Sequence, residues 1–347
     1  MKGNEVLAEA AIRCGADGYF GYPITPQSEV METLMELKPW ETTGMVVLQA
    51  ESEVSAINMV YGAASTGKRV LTSSSSPGVS LMSEGFSYIA GAELPCVVIN
   101  VTRGGPGLGT IQPSQSDYFQ ATKGGAHGDF HLIVLAPNSV QEMHDFVFDA
   151  FDLAFKYRNP VMILSDGVIG QMMEKVVLAD QRPRRTAEEI KAQDGDWARI
   201  GKTADRAEHV ITSIELDPYA QEKFNEKLIA KYAKIRENEV RYEEYLTEDA
   251  DYIIVAFGSA ARICHMTVDM AREAGYKVGL IRPITLYPYP TKVLNDLAKR
   301  GVKGFLSAEL NHGQLVEAGR LAVNGLAPVA HVGRRRGRRA STHQVTT

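Results

Sequence analysis

Short apolar runs separated by amphipathic or small-residue stretches recur along this chain, and their periods predict alternating strands and helices. A helix from Glu5 to about Cys14, with Asn4 as its N-cap, ends at Gly15 and Gly18 and precedes a short strand Tyr19-Phe20-Gly21-Tyr22. The loop Pro23-Ile24-Thr25-Pro26 leads to a helix from about Ser28 to Leu37, stopped by Pro39. Behind the apolar strand Met45-Val46-Val47-Leu48 comes a helix from Glu51 through Ala64, which Gly67 stops before the strand Val70-Leu71-Thr72. Serines 73 to 76 with Pro77-Gly78 open a further helix, and Pro95 introduces the strand Cys96-Val97-Val98-Ile99-Asn100-Val101. The same apolar pattern returns at Leu132-Ile133-Val134-Leu135 and Val161-Met162-Ile163-Leu164. Apolar strands that alternate with helices predict a parallel sheet covered on both faces, in an α/β domain over residues 1–178.

After Lys175 the composition changes. Residues 179–250 are dense in Arg, Lys, Glu and Asp and form an expected helical connector. Within it residues 220–246 are predicted as one long helix with Phe224, Leu228, Ile229, Tyr232 and Ile235 on its packing face. Alternation then resumes. Strands Tyr252–Phe257, Val278–Ile281 and Gly304–Ser307, with helices between them and from about Gln314 to Val323, predict a second, smaller α/β domain over residues 251–333. The basic run Arg334-Arg335-Arg336-Gly337-Arg338-Arg339 opens a tail, residues 334–347, expected to be disordered.

The chain has 347 residues, 44% hydrophobic and 23% charged, with a net charge of −5, the proportions of a soluble globular protein of about two domains. That balance implies no nucleic-acid partner. With no signal-like N-terminus and no run of 18 apolar residues, a cytoplasmic location and no membrane partner are expected. Cys14, Cys96 and Cys264 form no Cys-x-x-Cys pair, so neither a disulfide framework nor an iron–sulfur site is expected. Any clusters needed for electron transfer belong on another chain.

Gly62-Ala63-Ala64-Ser65-Thr66-Gly67-Lys68 has the letters of a P-loop, but it closes a predicted helix instead of opening one, and Arg69 replaces the magnesium-binding hydroxyl. Gly104-Gly105-Pro106-Gly107-Leu108-Gly109 lacks the third glycine of a dinucleotide fingerprint, since Thr110 stands there. It is a loop that a ligand or another chain can approach closely. His127-Gly128-Asp129-Phe130-His131 places two histidines four apart, but Gly128 opposes the regular helix that metal ligation would need, so no metal is assigned. Glu53, in the first turn of its helix, taken alone reads as a helix-end charge that complements the macrodipole. Three features point to chemistry instead. Ala56, Gly62, Ala63 and Ala64 leave that helix bare enough for close packing against a ligand or partner. Thr25 and Arg103 lie in loops after strands, and such loops gather at one edge of a parallel sheet, where ligands bind.

Tyr22-Pro23-Ile24-Thr25-Pro26, Glu51-Ser52-Glu53 with Gly62-Ala63, and Thr102-Arg103-Gly104-Gly105-Pro106 together resemble the alpha subunit of 2-oxoacid:ferredoxin oxidoreductases. The resemblance covers most of the chain. Gly107 to Asp117 and Gly124 to Asp129 are most similar to the 3-methyl-2-oxobutanoate (2-oxoisovalerate) branch; the 2-oxoglutarate and pyruvate enzymes are the alternatives, and a noncatalytic assembly module is the alternative of another class. The resemblance implies a pyrimidine-type thiamine diphosphate domain followed by a transketolase C-terminal-like domain. It implies that Glu53, chosen over Glu51 by its distance from Gly62, is catalytic and binds the cofactor's aminopyrimidine, with Thr25 and Arg103 at the substrate. The family's Gly-Asp-Gly diphosphate motif is missing, with Ser165-Asp166-Gly167 the nearest approach. Magnesium and the diphosphate are therefore expected on a beta subunit, and iron–sulfur clusters on gamma- and delta-type subunits. Ferredoxin and coenzyme A complete the expected partners. Glu309-Leu310-Asn311-His312-Gly313-Gln314 is expected to face partner subunits.

Overall fold

The computed structural model describes residues 1–202, 204 and 207–333, so the tail expectation lies outside the described residues. The first half runs α1 (Gly3–Arg13), β1 (Gly18–Gly21), α2 (Ser28–Leu37), α3 (Pro39–Thr42), β2 (Val46–Gln49), α4 (Glu53–Ala64), β3 (Val70–Ser74) and α5 (Ser76–Gly91). It continues through β4 (Cys96–Thr102), α6 (Tyr118–Thr122), β5 (Ile133–Leu135), α7 (Val140–Tyr157), β6 (Pro160–Asp166) and α8 (Gly167–Gln171). The connector carries α9 (Ala187–Asp194) and α10 (Pro218–Asn238). The remainder is β7 (Tyr242–Tyr245), β8 (Tyr252–Val255), α11 (Gly258–Glu273), β9 (Val278–Pro283), β10 (Thr285–Tyr287), α12 (Thr291–Arg300), β11 (Gly304–Glu309), α13 (Leu315–Val323) and β12 (Val329–Gly333).

These strands form a seven-stranded sheet in the order β10-β5-β6-β4-β3-β1-β2 and a five-stranded sheet in the order β12-β11-β8-β9-β7. All pairings are parallel except β10 with β5 and β7 with β9. The two-sheet α/β architecture agrees with the apolar alternation. Every residue of β3, β4 and β6 is buried, as central parallel strands with helices on both faces require. Helices α4 and α5 pack together over β1, β3 and β4, while α1 packs on α7 and α7 on β4 and β6.

Several local expectations are corrected. Lys2, not Asn4, stands at the N-cap of α1; Asn4 is fully buried and its amide donates to Pro26 O at 2.7 Å and Glu29 Oε2 at 2.9 Å. The helix predicted over residues 220–246 stops at Asn238. Glu239, just beyond it, accepts hydrogen bonds from Lys156 Nζ and Tyr157 OH at 2.6 Å each, and Tyr242–Tyr245 then pairs with β9. Leu228, Tyr232 and Ile235 are buried on α10, but Ile229 is 55% exposed. The strand before Glu53 is an edge strand with Val46 and Leu48 in solvent. β10 was hidden by Pro283, Pro288 and Pro290, which argue against a strand but are tolerated at the sheet edge it occupies.

Candidate active site

Loops at the carboxyl ends of β1, β2, β3 and β4 meet at one edge of the seven-stranded sheet. The chain winds from β1 to β2 in one direction and then to β3 on the other side of β1. Such a reversal opens a crevice suited to a ligand.

Ser52 caps α4 by accepting the Ser55 backbone N–H at 3.2 Å, which makes Glu53 the first helical residue. Its carboxylate is at the positive end of the helix and is 6% exposed, yet it makes no hydrogen bond or ion pair among the described residues. A Cβ on Gly78 would lie 2.6 Å from Glu53 Oε1 and 2.1 Å from Ser74 Oγ. Only glycine at 78 lets α5 approach this closely. The hydroxyls of Ser74 and Ser75 are also buried without partners. Buried polar groups left unpaired in this way call for an occupant, and a polar heteroaromatic ring fits them.

Arg103 is 8% exposed and donates from Nη1 to Thr25 O at 2.9 Å, while its Nε is buried without a partner. The structure thus joins Thr25 and Arg103, through the threonine's carbonyl, and leaves the Thr25 side chain exposed. Helix α5 links both to Glu53. Ser76 Oγ accepts the Arg103 backbone N–H at 3.0 Å, two residues before Gly78 meets Glu53. Beneath the β1 loop, Gln27 is fully buried and its Oε1 accepts Ser73 Oγ at 2.6 Å, with Tyr19 OH 2.7 Å from the same hydroxyl.

The glycine-rich run after β4 is a closed finger. Thr110 N donates to Gly104 O at 2.7 Å and Gly104 N to Gln112 O at 2.8 Å. Gly109 has φ 59°, and a Cβ there would sit 1.7 Å from Gly104 O. The finger leaves Leu108 78% and Ile111 59% exposed. Beside Thr25 a cavity of about 560 Å³ is lined in part by Pro26, Ile111, Pro113, Val168 and Met172.

The sequence did not single out Asn4, Gln27, Gly78, Asn100 or Asp117 as parts of the site. A polar Asn100 inside the run Val97–Val101 was the one available signal. Asp166, nearest to the missing diphosphate motif, caps α8 by accepting Val168 N at 2.8 Å and also accepts Ser259 Oγ. Its burial lifts the carboxyl above the ordinary value. Among the described residues, no group of three or more His, Cys, Asp and Glu side chains is placed to hold a metal. Residues 127–129 form bends and 130–131 irregular chain, with the His131 ring stacked on Tyr287 at 4.2 Å between centroids. All three cysteines are free and buried, which pushes their thiols up to about 12. No helix among the described residues is long and apolar enough to cross a membrane. The Glu309–Gln314 turn packs on residues 114–119 of this chain through its buried side, with His312 exposed: Gln115 N donates to Leu310 O at 3.1 Å and Asn311 Nδ2 to Gln115 O at 2.8 Å.

A family profile described as "Pyruvate flavodoxin/ferredoxin oxidoreductase, thiamine diP-bdg" matches residues 9–244, and one described as "Pyruvate:ferredoxin oxidoreductase core domain II" matches residues 250–345. Ketoisovalerate oxidoreductase subunit VorB of Methanothermobacter marburgensis is 51% identical over 317 residues, covering 91% of this chain and 87% of the relative. The 2-oxoglutarate synthase subunit KorA of Methanothermobacter thermautotrophicus is 36% identical over 352 residues, covering 95% of this chain and 92% of the relative. Among solved structures, the 2-oxoglutarate:ferredoxin oxidoreductase from Magnetococcus marinus, with 2-oxoglutarate, coenzyme A and succinyl-CoA bound, superposes with a TM-score of 0.84 at 26% identity. That superposition covers 100% of this chain but 64% of the solved one, less than two thirds. With the first profile matched across residues 9–244 and a relative 51% identical across 91% of this chain, the chain belongs to the pyruvate flavodoxin/ferredoxin oxidoreductase family, as a 2-oxoacid:ferredoxin oxidoreductase subunit.

Proposed function

We propose that this subunit serves a branched-chain 2-oxoacid:ferredoxin oxidoreductase of the cytoplasm, converting acids such as 2-oxoisovalerate to acyl-CoA. In this reading Glu53 binds the aminopyrimidine of thiamine diphosphate, and Thr25 and Arg103 meet the substrate. The carrying observation is the Glu53 carboxylate, buried at a helix start with no partner of its own. When bound, the cofactor supplies a carbon nucleophile for the 2-oxo carbon and takes up the electrons freed as carbon dioxide leaves.

The chain's own residues do the rest. Glu53 holds a proton shared with the aminopyrimidine ring nitrogen, in a crevice that burial keeps short of water. Thr25 O engages Arg103 Nη1, so the Nε–Nη2 edge of the guanidinium is left to grip both oxygens of the substrate carboxylate. The apolar side of the cavity beside Thr25, formed by Pro26, Ile111, Pro113, Val168 and Met172, suits an aliphatic branch. A second carboxylate, as in 2-oxoglutarate, would find no Lys or Arg in the cavity lining; Lys2, just behind it, is already paired with Glu29 at 2.6 Å. The 51% identity to a ketoisovalerate enzyme against 36% to a 2-oxoglutarate enzyme supports the same branch.

Around Glu53 the side chains of Val46, Leu48, Val54 and Leu81 are 40–56% exposed, an apolar surface beside an incomplete site. A beta subunit seated there would enclose the cofactor and bring magnesium to its diphosphate; gamma- and delta-type subunits would carry iron–sulfur clusters toward ferredoxin. The test is co-assembly with candidate subunits and assay of ferredoxin reduction. Glu53→Gln should lower the 2-oxoisovalerate- and coenzyme A-dependent rate at least ~100-fold. Full activity in that variant would remove Glu53 from the role, and preference for 2-oxoglutarate or pyruvate in a substrate panel would remove the branch.

A further inference from the structure

We infer that Asp117 is the positioning residue of Arg103, holding the arginine and the start of α5 in register with the second sheet; this rests on the reading of Arg103 as the carboxylate ligand. Asp117 stands at the N-cap of α6, where an aspartate ordinarily caps its own helix, but its side chain makes no such bond. Oδ2 accepts Ser76 Oγ at 2.6 Å and Asn100 Nδ2 at 3.0 Å instead. Ser76 N donates to Asn100 Oδ1 at 3.1 Å, and Ser76 Oγ accepts the Arg103 backbone N–H at 3.0 Å. The end of β4, the start of α5 and the start of α6 are thereby joined in one buried network, with the substrate arginine at its rim.

The direction of each bond depends on the carboxylate. With Asp117 accepting its proton, the Ser76 hydroxyl turns a lone pair toward Arg103 N. Without that acceptor the hydroxyl can rotate to donate to Arg103 O, 3.2 Å away, so its lone pair is no longer held toward the arginine's N–H. Arg103 Nη1 then loses its fixed approach to Thr25 O. The second sheet secures Asp117 from both sides: Gln314 Nε2 donates to Ser116 O at 2.7 Å, and Phe119 N donates to Gln314 Oε1 at 2.8 Å.

The experiment is steady-state kinetics of the reconstituted complex with 2-oxoisovalerate and coenzyme A. Asp117→Ala should raise KM for the 2-oxoacid roughly tenfold while kcat and KM for coenzyme A stay within about threefold. Asp117→Asn, whose amide oxygen can accept both bonds, should restore KM to within about threefold of the parent. Gln314→Ala, distant from the crevice, should raise the same KM by a smaller factor. An unchanged KM in Asp117→Ala, or an Asp117→Asn variant as impaired as the alanine, overturns the inference. If Asp117→Ala does not assemble, the other two variants decide, and an unchanged KM in Gln314→Ala overturns it. Arg103→Ala separates the two readings: its KM must rise further than that of Asp117→Ala. If Arg103→Ala leaves KM unchanged, the assignment of Arg103 itself fails, whatever the Asp117 variants show.

Discussion

At Gly78 a missing carbon governs the geometry of the Glu53 carboxylate. Alanine there would place a Cβ 2.6 Å from Glu53 Oε1 and 2.1 Å from Ser74 Oγ, and α5 cannot retreat while Ser76 is bound to Asn100, Arg103 and Asp117. Gly78→Ala is expected to lower kcat of the assembled enzyme at least tenfold and to cost about 1–3 kcal/mol of stability by overpacking. Turnover and thermal melting of the variant check both; wild-type turnover would show that Glu53 has room to spare. A companion prediction concerns the finger, where Gly109→Ala combines φ 59° with a Cβ 1.7 Å from Gly104 O. Loosening of residues 104–110 should appear as faster proteolysis there, with global stability little changed because the finger is exposed. That Thr25, Glu53 and Arg103 follow strands was legible because apolar runs mark β1, β2 and β4; the roles proposed for them came from the family resemblance. Asp117 and Gln27 were not, since an aspartate before a short helix and a glutamine before another read as ordinary loop residues until their partners are known.

Among the elements, α10 shows how charge and burial combine. Glu93 receives Lys227 Nζ and, at 3.3 Å, Lys231 Nζ, fastening the connector helix to the first sheet's helical layer. Burial pushes the Glu93 carboxyl up, but the Lys227 hydrogen bond and the charges of Lys231, Lys227 and Arg158 outweigh it and hold the group below its ordinary value. Burial likewise drops Lys231 to about 8, against the pull of Glu93. For Glu93 the unfolded chain binds the proton more tightly, so its contribution is present above about pH 4.5 and is lost as pH falls through the lowered folded value. For Lys231 the unfolded chain again binds more protons, so stability rises between about pH 8 and the ordinary lysine value near ~10.4. Glu93→Gln should therefore cost about 1–3 kcal/mol at pH 7, and the difference from the parent should shrink as pH falls below about 4.5. Denaturant melts across pH test this, and a pH-independent difference would assign the effect to packing alone. The existence of α10 followed from periodicity, whereas its end did not. No glycine or proline marks Asn238, and the stop comes from Glu239 bonding to Lys156 and Tyr157 on α7.

Over the whole molecule the two sheets are coupled rather than merely tethered. Gln115 Nε2 donates to Phe257 O at 2.8 Å, and its Oε1 accepts Leu310 N at 3.1 Å. β10 leaves the second half of the chain to pair with β5, and the largest apolar core runs through both sheets. Gln115→Ala would leave the Leu310 N–H buried without its partner, while the Phe257 carbonyl keeps the Ala261 N–H at 3.2 Å, at a cost of about 1–3 kcal/mol. The midpoint of denaturant unfolding should fall with its slope unchanged; a new intermediate would mean that the halves unfold separately. By itself the sequence determined the alternation of strands and helices, the parallel character of the sheets, and the strand-end places of Thr25, Glu53 and Arg103. Those follow from local periodicity and chain breakers, which act over a few residues. The tertiary structure alone decided that β10 crosses to the other sheet, that Gly78 rather than a side chain faces Glu53, and that residues 114–119 join the site to the Glu309–Gln314 turn. Each of these pairs groups separated by tens to hundreds of positions, and no local period carries that information: only the packed fold brings the donor to its acceptor.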